Sequence, residues 1–577
     1  MRLIKVYANQ PTFKTVLFNE KGPSFIVAKQ KNNQNKEAGK TYNGVGKSLL
    51  IKIIHFCMGA KKDRYKSFCA ELPGWEFSTE FYVQNKKYTA KRSTDNPSRI
   101  FLNGEDLAVS KFNEQLGKFL FDIPSNVANL SFRSLFPFFI RPDKNGYVKF
   151  NEASVSFNAY QAMLYNAFLL GLDVFLAQKK NELKKEKDRI KNLEKNFNSD
   201  TLLRDFFTGN KDVALTIIDI DEKIKKLEDN LKSFKVAGDY HDVQLEADQI
   251  ENQLFDLNNN IILLQNNVST IDKSLDIKVS NNKEELEQVY NEASIYFTES
   301  LTKTLDDLVC FYEKLMANRK KRLLEQRNKI ATEINKKNLE VKKLQDELNK
   351  RMKYLGDHQA LDVFVAISER SLELKSKRDN LRNYQTLLSE YKEKLREIEK
   401  SQIEESERAE KYLREIKTNI NELRDYFRGL AKKFYPSSVA GLTIENNDGD
   451  NMQRYSIEAK VESDGSDGIN NVKIFCYDMT LLFKGQNHSI DFLFHDSRLY
   501  DGIDERQKAE LFRTIYQEFK NSNKQYIASV NQNQLNEIRE YLDPNLYKNV
   551  IEDNIILVLT DDDVSGKLLG IQVDIED

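Results

Sequence analysis

Six consecutive residues, Asn43-Gly44-Val45-Gly46-Lys47-Ser48, carry the groups that gripping a polyphosphate requires. Successive backbone N–H groups must curl around the anion, and glycines permit the curl. A lysine then reaches the outer phosphates, and a hydroxyl meets a magnesium ion. The apolar run Leu49-Leu50-Ile51-Lys52-Ile53-Ile54 behind them reads as a helix whose N-terminus completes an anion site. Asn43, Gly44, Val45, Gly46, Lys47, Ser48 and Leu49 are therefore assigned to phosphate contact, with Ser48 also a metal ligand. The pattern GxxxxGK[ST] is broken at one place: Thr41 stands where its first glycine belongs, with Gly39 close by.

Such a loop needs a carboxylate at the end of a buried strand to hold the Mg²⁺ shell, and commonly a second one to activate water. Ser489-Ile490-Asp491-Phe492-Leu493-Phe494-His495-Asp496-Ser497 is the segment that fits, with an apolar run ending in Asp496. Ser497 follows, where ABC ATPases usually have Glu. Two assignments stay open. Either Asp496 is the magnesium carboxylate and the base is missing or supplied elsewhere, or His495-Asp496 replaces the Asp-Glu pair and Asp496 is the base. Upstream, Ser466-Asp467-Gly468 lies where a signature motif would sit, so Ser466 and Gly468 are candidates to grip the γ-phosphate of a nucleotide on a second protomer. Downstream, the apolar stretch Gln525–Val530 ends in Asn531, which can hydrogen-bond the γ-phosphate or the attacking water but cannot serve as acid or base.

These residues need elements to bring them together. Residues 1–172 show the two-residue alternation of strands at Leu3–Tyr7, Ser24–Val27, Glu76–Val83 and Lys87–Ala90, with helices expected at Ser48–Cys57 and Lys111–Leu120. From 173 to 430 the period changes to heptads. Ile217, Ile220, Ile224, Leu227 and Leu231 mark one arm, continued by Ile250, Leu254, Leu257, Ile261 and Leu264. Ile330, Ile334, Val341, Leu344 and Leu348 begin the other, continued by Leu374, Leu381, Tyr384 and Leu388. A tip is expected within 276–310 and irregular breaks near 198–213, 236–242 and 353–370. Residues 431–577 return to strands and short helices. If the coil folds back on itself, the two α/β segments must meet in one head.

Composition agrees with long exposed helices: among 577 residues, 31% are charged and 40% apolar, with 9 Pro and 22 Gly. A net charge of −1 advertises no global field for nucleic acid, so any basic surface must be local. Cys57, Cys69, Cys310 and Cys476 have no spacing suited to zinc or a disulfide framework. No signal segment and no apolar run long enough to span a bilayer occurs, so a cytoplasmic protein without membrane association is expected.

The segments NGVGKSLLIKIIHFCMG, FYEKLMANRKKRL, IFCYDMTLL and FLFHDSRLYDGIDERQ together resemble the YydD-type family of bacterial ATPases related to SMC and RecN proteins. The resemblance implies an α/β ABC-ATPase head assembled from N- and C-terminal segments, with a long antiparallel coiled-coil hairpin inserted between them. It implies a homodimer of heads around two ATP molecules with Mg²⁺, and small partner or effector proteins in prokaryotic defence. It also implies that Asp501, Asp504 and Arg506 lie in a loop facing the opposite protomer; read by itself, Asp504 is a helix cap. Lys61, Lys62, Arg64, Lys66, Arg133, Arg141, Lys144 and Lys149 are candidates for DNA backbone contact, and Arg141 alternatively for a nucleotide-sensing loop. Two functions follow: an SMC/RecN-like ATPase acting on DNA through its arms, or a nucleotide-gated scaffold that presents a surface to an effector with little turnover.

Overall fold

A computed structural model describes residues 1–29, 44–154, 157–199, 213–233, 240–276, 305–354, 358–462, 467–561 and 563–573. The chain forms two units, one of Met1–Glu186 with Ile398–Asp577 and the other of Lys187–Glu397.

The first unit is mixed α/β. Its antiparallel sheet has strands β1 (Arg2–Ala8), β2 (Val16–Leu17), β4 (Glu76–Val83), β5 (Lys86–Ser93), β6 (Arg99–Leu102) and β7 (Glu105–Ala108), in the order β2-β1-β4-β5-β6-β7. Two of its hairpins turn through paired positive φ angles, 48° and 64° at Gln84-Asn85 and 51° and 89° at Asn103-Gly104, the geometry that matches the right-handed twist of the flanking strands.

The second sheet contains β3 (Gly22–Lys29), β10 (Phe492–His495), β11 (Gln525–Asn531) and β12 (Ile555–Thr560), all parallel, in the order β10-β11-β3-β12. Its central strands are near-continuous apolar runs, as burial on both faces demands. β3 is buried from Gly22 to Ala28 and β11 from Gln525 to Val530. Buried Gln525 joins the two sheets: its Oε1 accepts from the Leu3 amide at 2.8 Å, and its Nε2 donates to the Leu3 carbonyl at 2.7 Å.

Registry decides where the chemistry lies. His495 pairs with Ala528, and Ala528 with Phe25, so the carboxyl ends of β10, β11 and β3 come out along one sheet edge. Asp496 leaves β10 there, Asn531 closes β11, and beyond β3 the described chain resumes at Gly44, immediately ahead of α1 (Lys47–Cys57). Crevices at such edges are the general ligand sites of parallel sheets. Helix α2 (Val109–Leu120), a small sheet of β8 (Ala440–Asn446) and β9 (Tyr455–Val461), and α3 (Asp467–Lys484) also belong to this unit, and α3 packs against β10 and the turn that follows it.

In the second unit the helices Val213–Ser233 and Tyr240–Asp276 meet Leu305–Tyr354 and the part of His358–Glu415 that lies within it. Ile217, Ile220 and Ile224 bury against Leu374 and Leu381, and Ala247, Ile250 and Leu254 against Leu348. Asp221 pairs with Arg378 at 3.4 Å and Arg382 at 2.8 Å, and Asp272 with Arg327 at 2.6 Å. Rising numbers on one side meet falling numbers on the other, so the helices run antiparallel. Exposed pairs of this kind set register more than stability. Residues 277–304, where most of the expected tip falls, lie outside the described residues, as do 200–212, 234–239 and 355–357. Residues 358–370, expected to be irregular, are helical.

Candidate functional site

Gly44 and Gly46 have φ of 90° and 99°, left-handed conformations that a side chain would strain. At Gly46 the constraint is double, because a Cβ there would lie 2.6 Å from the Leu568 Cβ. The Leu568 amide donates to the Val45 carbonyl at 3.0 Å and backs the loop from the C-terminal segment. α1 starts directly after Gly46 with no side-chain cap and no acid in its first turn. Its N-terminal amides and the positive end of its dipole are therefore suited to an anion. Leu49 follows within the first turn, half-buried.

Lys47 is buried, and its Nζ donates to Asn531 Oδ1. Burial lowers its ammonium pKa from the usual lysine value, while Asp496 and Asp501 pull the other way. Ser48 Oγ donates to Asp496 Oδ2 at 2.9 Å, and Ser529 Oγ donates to Asp496 Oδ1 at 2.6 Å. Asp496 is 2% exposed; its amide donates to the Tyr147 hydroxyl at 2.8 Å, and Arg498 Nε stands 3.7 Å from its Oδ2. Glycine loop, lysine, hydroxyl and carboxylate therefore meet at one strand-end crevice. Asn531 also caps the helix Gln532–Ile538 through a reciprocal pair with Gln534.

His495 and Asp496 point to opposite sides, as consecutive residues at a strand end do. His495 Nε2 lies 2.9 Å from Asp478 Oδ2 and its Nδ1 2.9 Å from the Tyr526 hydroxyl, which is 3.0 Å from that of Tyr500. Arg141 grips Asp478 with both arms, Nε to Oδ2 at 2.5 Å and Nη2 to Oδ1 at 2.6 Å. Because Asp478 accepts, Nε2 carries the His495 proton, and Nδ1 accepts from Tyr526. All five residues are buried, and burial lowers the His495 pKa although Asp478 opposes it.

Several expectations meet the structure here. Arg141 is not a surface contact for DNA: it is 1% exposed, and its guanidinium is engaged by Asp478 and by the Gly146 and Phe150 carbonyls. Arg64 pairs with Asp143 and Ser154, and Arg133 donates to the Gly59 carbonyl at 3.3 Å. Asp504 is the N-cap of the helix Glu505–Lys520, accepting from the Arg506 amide. Asn43 and Ser466 lie outside the described residues. Gly468 opens α3 where a Cβ would stand 2.3 Å from the Gly502 carbonyl oxygen, so α3 and the loop after Asp496 touch backbone to backbone. Asn471 of α3 reinforces that contact, donating to the Asp501 carbonyl at 2.9 Å.

Tyr147, Ser529, Asp478 and Gln534 were not singled out from the sequence. Asp478 alone left a signal, as a carboxylate inside the apolar stretch Val472–Leu482 that burial would make costly without a partner. No cluster of three or more His, Cys, Asp or Glu suited to a metal occurs among the described residues. A magnesium site does not require one, because Mg²⁺ keeps waters and is held by one or two protein oxygens together with phosphates. Ser48 and Asp496 fit that donor set. Among the described residues, no helix is long and apolar enough to cross a membrane.

Residues 430–573 match a family described as an uncharacterised protein conserved in bacteria (DUF2326). No curated protein gives a significant match. Among solved structures, the chain is similar to the Smc head domain with a coiled coil and joint from Pyrococcus yayanosii, at 15% identity and a TM-score of 0.38, over 97% of this chain and 94% of that one. It is similar also to the Smc head domain with an extended coiled coil bound to the C-terminal domain of ScpA from Pyrococcus furiosus, at 13% identity and a TM-score of 0.34, over 99% and 96%.

Proposed function

We propose that the first unit is an ATP-binding head of the ABC type and that the chain hydrolyses ATP. The observation that carries this reading is the 2.9 Å bond from Ser48 to Asp496, made at the carboxyl ends of parallel strands beside Lys47 and the uncapped N-terminus of α1. The amides of Gly44 to Leu49 would wrap the β-phosphate, and Lys47 would exchange Asn531 for the β- and γ-phosphate oxygens. Ser48 and Asp496 would hold Mg²⁺, which when bound neutralises charge on the transferring phosphoryl group. Asn531, released from Lys47, would orient the γ-phosphate or attacking water. Of the two roles open to Asp496, the metal role has the better support, since its Oδ2 already meets the hydroxyl of the phosphate loop. His495 faces away from the crevice and acts by positioning the strand end.

The reading extends to an assembly. Two heads close on two nucleotides, with Ser466 and Gly468 of one gripping the γ-phosphate on the other. The antiparallel arms move as the heads close and open, as in SMC/RecN-like and YydD-type ATPases. DNA and small effector proteins are the proposed partners, in a prokaryotic defence role. Titrating ATP into the full chain, with and without Mg²⁺, tests the base of this reading; it fails if Lys47→Ala binds ATP as the parent does.

A second reading, a nucleotide-gated scaffold with little turnover, is favoured by Ser497. It occupies the position of the usual glutamate, with its amide donating to Ser529 Oγ at 3.2 Å. Phosphate release with and without duplex DNA separates the two.

A further inference from the structure

Hydrolysis is accelerated by a positioned group that takes a proton from the attacking water. Both oxygens of Asp496 are engaged, one by Ser48 and one by Ser529. Ser497 and Asn531 are not proton acceptors at neutral pH. The His495 ring is committed to Asp478 and Tyr526 behind the strand.

Asp501 is placed differently. It follows the short helical turn Ser497–Tyr500 and is exposed to solvent. Gln534 Nε2 donates to its Oδ1 at 3.0 Å, and Gln534 Oε1 accepts from the Asn531 amide at 2.9 Å. Asn531 in turn receives Lys47, so one connected set of bonds runs from the phosphate-loop lysine to Asp501. The Asp501 backbone is fixed from α3 by Asn471. Among the described residues no donor is placed on Oδ2. Partial withdrawal from water, and then the charge of Asp496, raise the Asp501 carboxyl above the usual aspartate value, with Lys47 opposing. A base working near neutral pH benefits from such a shift.

We infer that Asp501 is the general base that replaces the missing glutamate, acting on water held at the γ-phosphate of the same chain. The inference rests on the hydrolytic reading above. The water oxygen bonds to the γ-phosphorus while the bond to the β,γ-bridging oxygen breaks and its electron pair leaves with ADP. The water proton passes to Asp501 Oδ2 and from there to solvent.

Single-turnover phosphate release and binding of a fluorescent ATP analogue, measured on the full chain with Mg²⁺, test this. Asp501→Asn keeps the acceptor for Gln534. It is expected to bind ATP as the parent does and to release phosphate about 100-fold more slowly or worse, leaving intact ATP on the protein. Asp501→Glu, which restores a carboxylate, is expected to recover part of the rate. Phosphate release by Asp501→Asn at the parent rate, or loss of ATP affinity together with turnover, overturns the assignment. So does a parent chain that binds ATP without releasing phosphate, although nucleotide binding then stands. Unchanged affinity in Lys47→Ala is a separate result that removes the nucleotide site itself.

Discussion

Ser48 and Asp496 are 448 residues apart in the chain and 2.9 Å apart in the crevice. The bond is neutral donor to carboxylate, and Arg498 Nε stands 3.7 Å from the same Oδ2, so an entering cation displaces a hydroxyl and competes with one guanidinium there. On the metal reading, Asp496→Asn weakens ATP binding in Mg²⁺ and leaves the weaker metal-free binding nearly as it was. Calorimetric titration with and without Mg²⁺ measures both. Accumulation of a stable ATP-bound dimer in this variant, with normal Mg²⁺ dependence, would favour the base role instead.

Lys47→Ala removes a buried ammonium whose hydrogen bond goes to a neutral amide. Desolvation works against that charge, so its loss is expected to change unfolding free energy by no more than about 1 kcal/mol, while ATP binding disappears. Urea denaturation beside nucleotide titration checks the pair of outcomes; a misfolded variant would refute the first half.

The ion pair behind the strand behaves in the opposite way. Arg141 and Asp478 have fully buried side chains, and breaking one partner of such a pair typically costs about 3–5 kcal/mol. Asp478→Asn is therefore expected to lower stability by that order and to loosen His495. Arg141→Met combined with Asp478→Leu should recover much of the loss, because the uncompensated charge is gone. A single variant with parent-like urea midpoint would show that the pair is not held as described.

Much of this was legible in the sequence, for physical reasons that differ between residues. Gly44 to Ser48 were readable because the glycine-lysine-serine loop is contiguous. Asp496 and Asn531 were readable because each ends an apolar strand. Tyr147 was not, since a tyrosine in an irregular stretch has no period to mark it, and Ser529 looks like any small residue in a strand. Of the two readings of Arg141, a DNA contact fails because the side chain is buried, a depth that the apolar Phe136–Ile140 before it signals. That two arms fold back antiparallel could be read from the heptads and the break between them, but which residues pair could not, and the helix through 358–370 reads as irregular because its apolar spacing is less regular.

Acid should destabilise the first unit. Burial lowers the pKa of His55 and His495, and that of His488 to about 4, all from an ordinary value of 6.5. The unfolded chain thus binds more protons than the folded one below pH 6.5. Stability is full above that pH and is lost as pH falls through it, for His488 down to about pH 4. Each ring contributes a slope of about 1.4 kcal/mol per pH unit within its window. Urea midpoints at pH 7.5 and 5.0 measure the total, and His488→Gln should flatten it; equal midpoints in the parent would contradict the assignment.

The position of β3 between β11 and β12 has a consequence for synthesis. The strand that leads into the glycine-lysine-serine loop is made before both of its hydrogen-bonding neighbours, which are encoded close to 500 residues later. At about 5–20 residues per second, a newly made chain holds this apolar strand with both edges open for roughly 25–100 s. During that interval the Phe25-Ile26-Val27-Ala28 segment presents two unpaired strand edges, an aggregation template until β11 and β12 have been made.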